Sequence, residues 1–271
     1  MYGDDLEYFL RKITQQGIRD IELDFRRFGM YEGSDEWNSS LKEIEELASS
    51  YSVNIQQVHG IFGEIDEELA SPDLSVQRHA LERILQWISR IPLVGSSNII
   101  LHPARLPRDL NLGWEKSAKY IVEKNRAVFT QISRYGEEYG VSISIENMTP
   151  TRFGSQIPDL ISLVEINPDV LGICLDTGHL NICRISVDDA IYSIGHFITA
   201  THIHDNNGLE DQHHPPFVGS IDWIKVVRAF KTIDLKVPFV MELSRTVTDE
   251  HFENILSLLG RIWEIFRRIS P

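Results

Sequence analysis

Side chains able to hold a metal ion or move a proton recur directly after short apolar stretches of this sequence. Six consecutive stretches end in this way, in the strings VHG (58–60), LHP (101–103), IEN (145–147), CLDTGH (174–179), HIHDN (202–206) and ME (241–242). A further Asp-x-His pair, Asp211 and His213, lies between the last two. Carboxylate and imidazole ligands together suit Zn²⁺, Mn²⁺, Co²⁺ or Fe²⁺, and suit Mg²⁺ less well. Because buried carboxylates are costly unless they are paired or metal-bound, the pattern predicts a divalent metal site.

Each of these residues also has an ordinary interpretation when it is taken alone. A single histidine is more often a hydrogen-bonded core or loop residue than a ligand. Asp176 could cap the segment that follows it, and Glu242 could pair with Arg245. The metal hypothesis therefore depends on the joint pattern at six strand ends.

Seven apolar runs rich in Ile, Val and Leu predict the strands that would bring these residues together: Asp20–Phe25, Val53–Val58, Asn98–Leu101, Val141–Ile145, Leu171–Leu175, Ile198–Ile203 and Val237–Met241. Amphipathic helical patterns fill the gaps. The first runs from Leu6 and should end at Gly17, and Ser40 with Glu43 resembles a capping box. This alternation predicts an α/β fold, a (β/α)8 TIM barrel whose active site lies at the carboxyl ends of the strands.

The start of the predicted barrel departs from the usual order. The first element is a helix, and seven strands are found instead of eight, so the barrel should lack or alter its first strand. Unpaired edges would then flank the first and last predicted strands. Exposed edges favour pairing with another chain, so a homodimer is one expectation, and a true start upstream of this sequence is another.

Composition limits the class of protein. The 271 residues are 42% hydrophobic and 24% charged, which is typical of a globular protein. The sequence has no low-complexity tract, long linker or break in composition, which predicts a single domain over residues 1–271. The 40 acidic residues outnumber the 26 basic ones and give a net charge of −14, which disfavours nucleic acid as a partner. No apolar run is long enough to span a membrane, and the two cysteines are expected to be reduced, so a cytoplasmic location is expected.

Several of these strings together resemble the xylose-isomerase-like barrels. The strings are IEN, CLDTGHL, HIHDN, DxH and GxIDW (219–223), and the superfamily includes sugar and sugar-phosphate isomerases and epimerases as well as endonuclease IV. The resemblance implies a core divalent metal held by Glu146, Asp176, His202 and Glu242. His202 is preferred to His204 because the family pattern His-x-x-Asp matches His202 with Asp205, and His204 remains the alternative.

The endonuclease IV branch uses nine ligands for three zinc ions. Counterparts of all nine are present, so the resemblance implies one to three ions bound by His59, His102, Glu146, Asp176, His179, His202, Asp211, His213 and Glu242. Other positions depart from that branch. The segment 60–63 reads GIFG where the family has a Tyr-Leu pair, and Gly178 stands where it has Cys. Phe217 also departs from the usual GxGxIDW of the isomerase-like barrels, where a glycine stands at that position.

The resemblance implies a metal-dependent isomerase or epimerase that transfers a proton next to a carbonyl of a sugar or sugar phosphate. In this interpretation Glu146 and Glu242 move the proton, and His179 and Arg245 bind the carbohydrate. Loop arginines such as Arg152 would favour a phosphorylated or carboxylated substrate if they faced the metal. The alternative is an endonuclease IV-like zinc phosphodiesterase acting on abasic DNA, with a basic track drawn from Arg26, Arg27, Arg105 and Arg245.

Overall fold

A single parallel sheet forms the centre of the molecule. The computed structural model describes residues 6–25, 29–243 and 249–271. Its six strands are β1 (Asp20–Asp24), β2 (Asn54–His59), β3 (Asn98–Leu101), β4 (Ser142–Glu146), β5 (Leu171–Asp176) and β6 (Ile198–His202). Neighbours in sequence are neighbours in the sheet, and every pair is parallel. The carboxyl ends of all six strands therefore lie at one edge.

Helices connect successive strands and cover the outside of the sheet. Those in the described residues are α1 (Leu6–Gln15), α2 (Trp37–Ser50), α3 (Glu64–Glu68), α4 (Leu74–Ile88), α5 (Trp114–Tyr139), α6 (Ile157–Val164), α7 (Thr177–Ile182), α8 (Val187–Ile194), α9 (Trp223–Thr232) and α10 (Asp249–Arg268). Short 3₁₀ turns lie at 29–31, 91–94 and 195–197. No helix in the described segments is both long enough and apolar enough to cross a membrane.

The seventh predicted strand, Val237–Met241, is reduced to one parallel bridge between Ile203 and Met241. Proline at 238 has no N–H to donate to a ladder. The Thr201 hydroxyl replaces the missing ladder bonds, because it donates to the carbonyl of Pro238 at 2.8 Å and accepts the N–H of Val240 at 3.1 Å. The segment still follows β6 along the sheet, but without regular strand pairing.

The sheet curls although its two edges do not meet. Within the described residues β1 pairs with β2 alone, which leaves the predicted gap beside β1. Side chains nevertheless cross the interior. Glu22 on β1 lies 2.8 Å from Nε2 of His202 on β6, and Gln57 on β2 donates to the carbonyl of Thr201 at 3.3 Å. The molecule thus has the predicted barrel-like α/β architecture with an altered start.

Local predictions had mixed outcomes. Gly17 follows α1 with φ +76°, the left-handed conformation expected after a helix end. The capping box at Ser40 is wrong, because α2 begins at Trp37 and the Ser40 N–H already bonds to the carbonyl of Glu36 at 2.9 Å. Ser40 therefore lies inside the first turn.

Candidate metal centre

The predicted site residues lie where the strands end. His59, Glu146, Asp176 and His202 are the last residues of β2, β4, β5 and β6, and His102 directly follows β3. Because all six strands point the same way, these side chains meet at one mouth. All five are buried.

Glu146 is at the centre of this mouth and is surrounded by histidines. Its Oε2 lies 3.0 Å from Nε2 of His102 and 3.4 Å from Nε2 of His59. Its Oε1 lies 3.3 Å from Nδ1 of His202 and 3.4 Å from Nδ1 of His179. One carboxylate therefore faces two different sets of imidazoles, one with each oxygen.

Four residues form a core donor group, namely Glu146, Asp176, His202 and Glu242. Their donor atoms lie within 4.8 Å of one another. The Nδ1 atom of His202 is 3.4 Å from Oε2 of Glu242 and 3.9 Å from Oδ2 of Asp176. Protein zinc sites have bonds of about 2.0–2.2 Å to nitrogen and carboxylate oxygen, so donors spaced in this way can surround one ion.

A second carboxylate gathers the remaining predicted ligands. Oδ2 of Asp211 lies 3.3 Å from Nε2 of His179 and 3.1 Å from Nε2 of His213. The fold thus brings all nine predicted ligands into one cluster. Asp211, His179 and His213 form an outer trio. The core group lies between this outer trio and the pair His59 and His102.

Five histidines are each held through one ring nitrogen, which leaves the other nitrogen facing the mouth. The contacts are His59 Nδ1 to the carbonyl of Gly60 at 2.9 Å, His102 Nδ1 to Asp66 at 3.2 Å, His179 Nδ1 to the carbonyl of Asn147 at 2.8 Å, His202 Nε2 to Glu22 at 2.8 Å, and His213 Nδ1 to the carbonyl of Glu242 at 3.0 Å. Metal-binding histidines almost always have such a partner, which fixes the tautomer and the ring orientation.

Buried polar atoms without a hydrogen-bond partner test whether a cation fits the core group. Glu146 Oε2 and His202 Nδ1 are both buried and both lack a hydrogen-bond partner. His102 Nε2 is near that oxygen but is not aligned with it as a hydrogen-bond donor. When His202 donates its Nε2 proton to Glu22, its Nδ1 lone pair faces carboxylate oxygens, which repel it unless a cation lies between them. The donor set therefore fits a divalent cation.

The carboxylates hold neighbouring histidines in the protonated form. Burial alone would lower the pKa of His59, but Glu146 and Glu22 raise it to about 9. Burial alone would raise the pKa of Glu146, but His202 and His102 hold it well below its usual range. A proton and a metal ion thus compete for the same donors.

The outer trio shows the same balance. Burial would lower the pKa of His179, but Asp176 and Asp211 raise it to about 10. His213 is raised in the same way, to about 9, by Asp211 and Glu242 against the effect of burial. The two imidazoles in turn lower the pKa of Asp211, although burial would raise it.

His204, the alternative ligand, lies beside the core group. Its Nε2 is 3.0 Å from Asp176, and its ring stacks on His213 with centroids 4.1 Å apart. The absence of a side chain at Gly178 makes this position possible, because a Cβ there would lie 2.0 Å from the His204 ring. The departure from Cys at 178 is therefore coupled to the histidine at 204. The group of four donors that includes both Glu146 and Glu242 contains His202 and not His204.

Asp205 anchors the loop that carries Asp211 and His213. This fully buried carboxylate accepts the N–H of Gly219 at 2.9 Å, the N–H of Ile221 at 3.2 Å and the indole N–H of Trp223 at 2.8 Å. The IDW segment (221–223) thus holds the loop in place through its hydrogen bonds to Asp205, and it contributes no ligand atom to the cluster of predicted metal ligands. Phe217, where the family has glycine, adopts φ +73° and lies near Trp223 with ring centroids 6.3 Å apart.

Two carboxylates at the site were not predicted. Glu22 lies within β1 and Asp66 within α3, and they hold His202 and His102 respectively. An acidic residue inside the apolar run DIELDF was the available signal for Glu22. Asp66 is one of several acidic residues in its segment, so the sequence had no signal for it.

The arginines expected near the mouth are mostly paired with acids. Arg152 contacts Asp66 at 2.7 Å, and Arg105 contacts Glu67. Arg245, the predicted substrate-binding residue, lies outside the described residues, as do Arg26 and Arg27. The described part of the chain therefore gives no support for a continuous basic track.

Comparison of sequences identifies relatives of this chain. An uncharacterised protein of Methanocaldococcus jannaschii is 30% identical over 72% of this chain, and the match covers 66% of that protein, just under two thirds of its length. The D-psicose 3-epimerase of Ruminiclostridium cellulolyticum is 22% identical, over 88% of this chain and 78% of that protein.

Comparison of structures and family patterns agrees with the fold. A crystal structure of a D-tagatose 3-epimerase-like protein superposes with a TM-score of 0.74 at 25% identity, over 97% of this chain and 95% of that one. The sequence pattern described as xylose isomerase-like TIM barrel matches residues 10–258. The predicted fold class is therefore confirmed, and this chain belongs to the xylose isomerase-like TIM barrel family.

Proposed function

We propose that this protein is a divalent-metal-dependent isomerase or epimerase that transfers a proton next to a carbonyl of a sugar or sugar phosphate. The observation that carries the proposal is the pair Glu146 and Glu242, whose oxygens lie 3.3 and 3.4 Å from the same Nδ1 of His202. Similarity to proteins named as epimerases of psicose and tagatose supports a carbohydrate as the substrate.

The two glutamates have the properties that proton transfer requires. Glu146 ends β4, and Glu242 follows the segment that bridges to β6, so each reaches the centre from a different part of the barrel. Both side chains end in a carboxylate, a group that can act as general base or general acid. The Glu242 side chain is 32% exposed and is open to a substrate that enters the mouth.

The remaining residues would bind and orient the substrate. A cation held by Glu146, Asp176, His202 and Glu242 would stabilise the negative charge that develops on the carbonyl oxygen. His179 faces the mouth with Nε2 and is the proposed partner of a substrate hydroxyl. Arg245 is proposed as a second substrate contact.

Solvent exchange tests the proposal directly. The protein, purified without chelator, is mixed with ketoses and sugar phosphates in deuterium oxide, and loss of the proton next to the carbonyl is followed by NMR. We expect metal-dependent exchange that is abolished by Glu146→Gln and by Glu242→Gln. The exposed Glu210→Gln is the matched control and should behave as the wild type. Exchange that persists in both site variants would contradict the assignment.

A second candidate function is hydrolysis of a phosphodiester in abasic DNA. The specific observation in its favour is that donors for more than one ion converge, with His59 and His102 on Glu146 and with His179 and His213 on Asp211. The net charge of −14 argues against tight binding of a polyanion.

The outer ligands distinguish the two reactions. Proton transfer needs the core group, so sugar exchange should survive in His102→Ala and His213→Ala. A reaction that spreads transition-state charge over several ions should fail in either variant. Incision of an abasic duplex without any sugar exchange would replace the first proposal by the second.

A further inference from the structure

Asp66 connects three loops at the mouth of the barrel but belongs to none of the donor groups. It lies in α3 and is 2% exposed. Its Oδ2 contacts His102 after β3 and Arg152 after β4. Its main-chain carbonyl accepts the N–H of Arg105 at 2.7 Å. A buried carboxylate with partners from two further loops is placed to hold them in register.

The contact with His102 determines which ring nitrogen faces Glu146. Asp66 Oδ2 lies 3.2 Å from Nδ1, and the opposite nitrogen, Nε2, lies 3.0 Å from Glu146 Oε2. A carboxylate can only accept a hydrogen bond, so it places the imidazole proton on Nδ1. The Nε2 lone pair is then directed at the mouth, as a metal ligand requires.

Arg152 contacts the same oxygen of Asp66 and holds the carboxylate in place. Its Nη2 lies 2.7 Å from the same Oδ2 that accepts from His102. Two contacts on one oxygen fix the orientation of the Asp66 carboxylate toward His102. The preceding residue, Thr151, has φ +73°, a conformation rare for a β-branched residue, so the loop that delivers Arg152 has a specific shape.

We propose that Asp66 is a positioning residue that orients His102 toward Glu146, and that Arg152 holds Asp66 for this role. Asp66 acts through His102 and touches neither substrate nor metal. The inference rests on the proposed metal-dependent function. It adds a layer outside the predicted ligands that controls cation binding on the side of Glu146 that faces His102.

The experiment compares Asp66→Ala, Asp66→Asn and Arg152→Gln with a matched control. Glu32→Gln is that control, because Glu32 also accepts hydrogen bonds from an arginine and a ring N–H, those of Arg83 and Trp87. Zinc affinity is measured by chelator competition, and the proton position on the His102 ring by nitrogen-15 NMR of the metal-free protein, with a His102→Gln spectrum for assignment.

In Asp66→Ala we expect about 10–100-fold weaker binding of at least one zinc ion and a His102 proton shared between Nδ1 and Nε2. Asp66→Asn keeps an acceptor oxygen without its charge, and Arg152→Gln leaves the carboxylate without its partner, so both should show a smaller loss. Glu32→Gln should match the wild type in both measurements. The two conservative variants test the inference even if Asp66→Ala does not fold.

The outcomes separate this inference from the proposed function. Folded Asp66 variants with wild-type zinc affinity and an unchanged His102 proton would overturn the inference, while loss of zinc in Glu146→Gln would leave the function standing. A wild-type protein that binds no zinc, manganese or cobalt would remove the proposed function. The NMR measurement would then still decide whether Asp66 orients His102.

Discussion

Metal removal should make the stability of this protein depend strongly on pH. In the metal-free protein, protonated histidines balance the buried carboxylates, and His59 is one of the most deeply buried of them. Its pKa is about 9 in the folded protein and 6.5 in a model peptide. Because the folded pKa is the higher one, the contribution of His59 to the free energy of unfolding is complete below pH 6.5 and is lost as the pH rises through 9.

The size of the effect follows from the same two pKa values. One pKa unit corresponds to about 1.4 kcal/mol, so His59 alone accounts for about 3 kcal/mol. A typical domain has a net stability of about 5–15 kcal/mol, so the loss is a large fraction of the total. A bound divalent cation supplies positive charge without a proton, so the metal-loaded protein should lose less stability over this range.

Urea unfolding followed by circular dichroism is the assay, on chelator-treated and zinc-loaded protein between pH 6.5 and 9. The matched variant is Glu146→Gln, which removes one of the two carboxylates that raise the His59 pKa, so its metal-free stability should fall less steeply with pH. A metal-free wild type whose free energy of unfolding is constant over this range would refute the reasoning.

Three further substitutions test the parts that support the cluster. Glu22→Gln should weaken metal binding about 10–100-fold in a chelator competition, because it changes the partner of a predicted ligand; wild-type affinity would contradict this. Gly178→Ala should lower the melting temperature by the equivalent of about 1–3 kcal/mol, since its Cβ would lie 2.0 Å from His204. Trp223→Phe should cost about 1.5–3 kcal/mol in urea unfolding, because Asp205 loses a buried N–H donor. An unchanged stability in either variant would show that the contact is dispensable.

The sequence predicted the mouth of the barrel because its signals are local. An apolar run followed by His59 or Glu146 indicates both a strand and the residue at its end, and parallel strands bring such ends together. The strand boundaries were off by about a residue, which left the set of converging side chains unchanged. The single domain, the cytoplasmic location and the homodimer stay predictions.

Long-range contacts are what the sequence could not show. The Glu22 carboxylate reaches His202 across the interior from a residue 180 positions earlier in the chain. No periodic pattern encodes that separation. The prediction of a seventh strand was wrong for a related reason. Hydrophobicity alone does not reveal that the Thr201 hydroxyl makes hydrogen bonds to Pro238 and Val240 in place of regular strand pairing.

The position of Glu146 explains why the two candidate reactions are hard to separate from sequence. Its Oε1 faces His202 in the core group, and its Oε2 faces His59 and His102. A single-ion isomerase needs the first contact, and a multi-ion hydrolase needs both, so the same glutamate is essential to either reaction. Loss of activity in Glu146→Gln therefore shows that the cluster is used, whereas only residues that contact one side of it, such as His102, report how many ions take part.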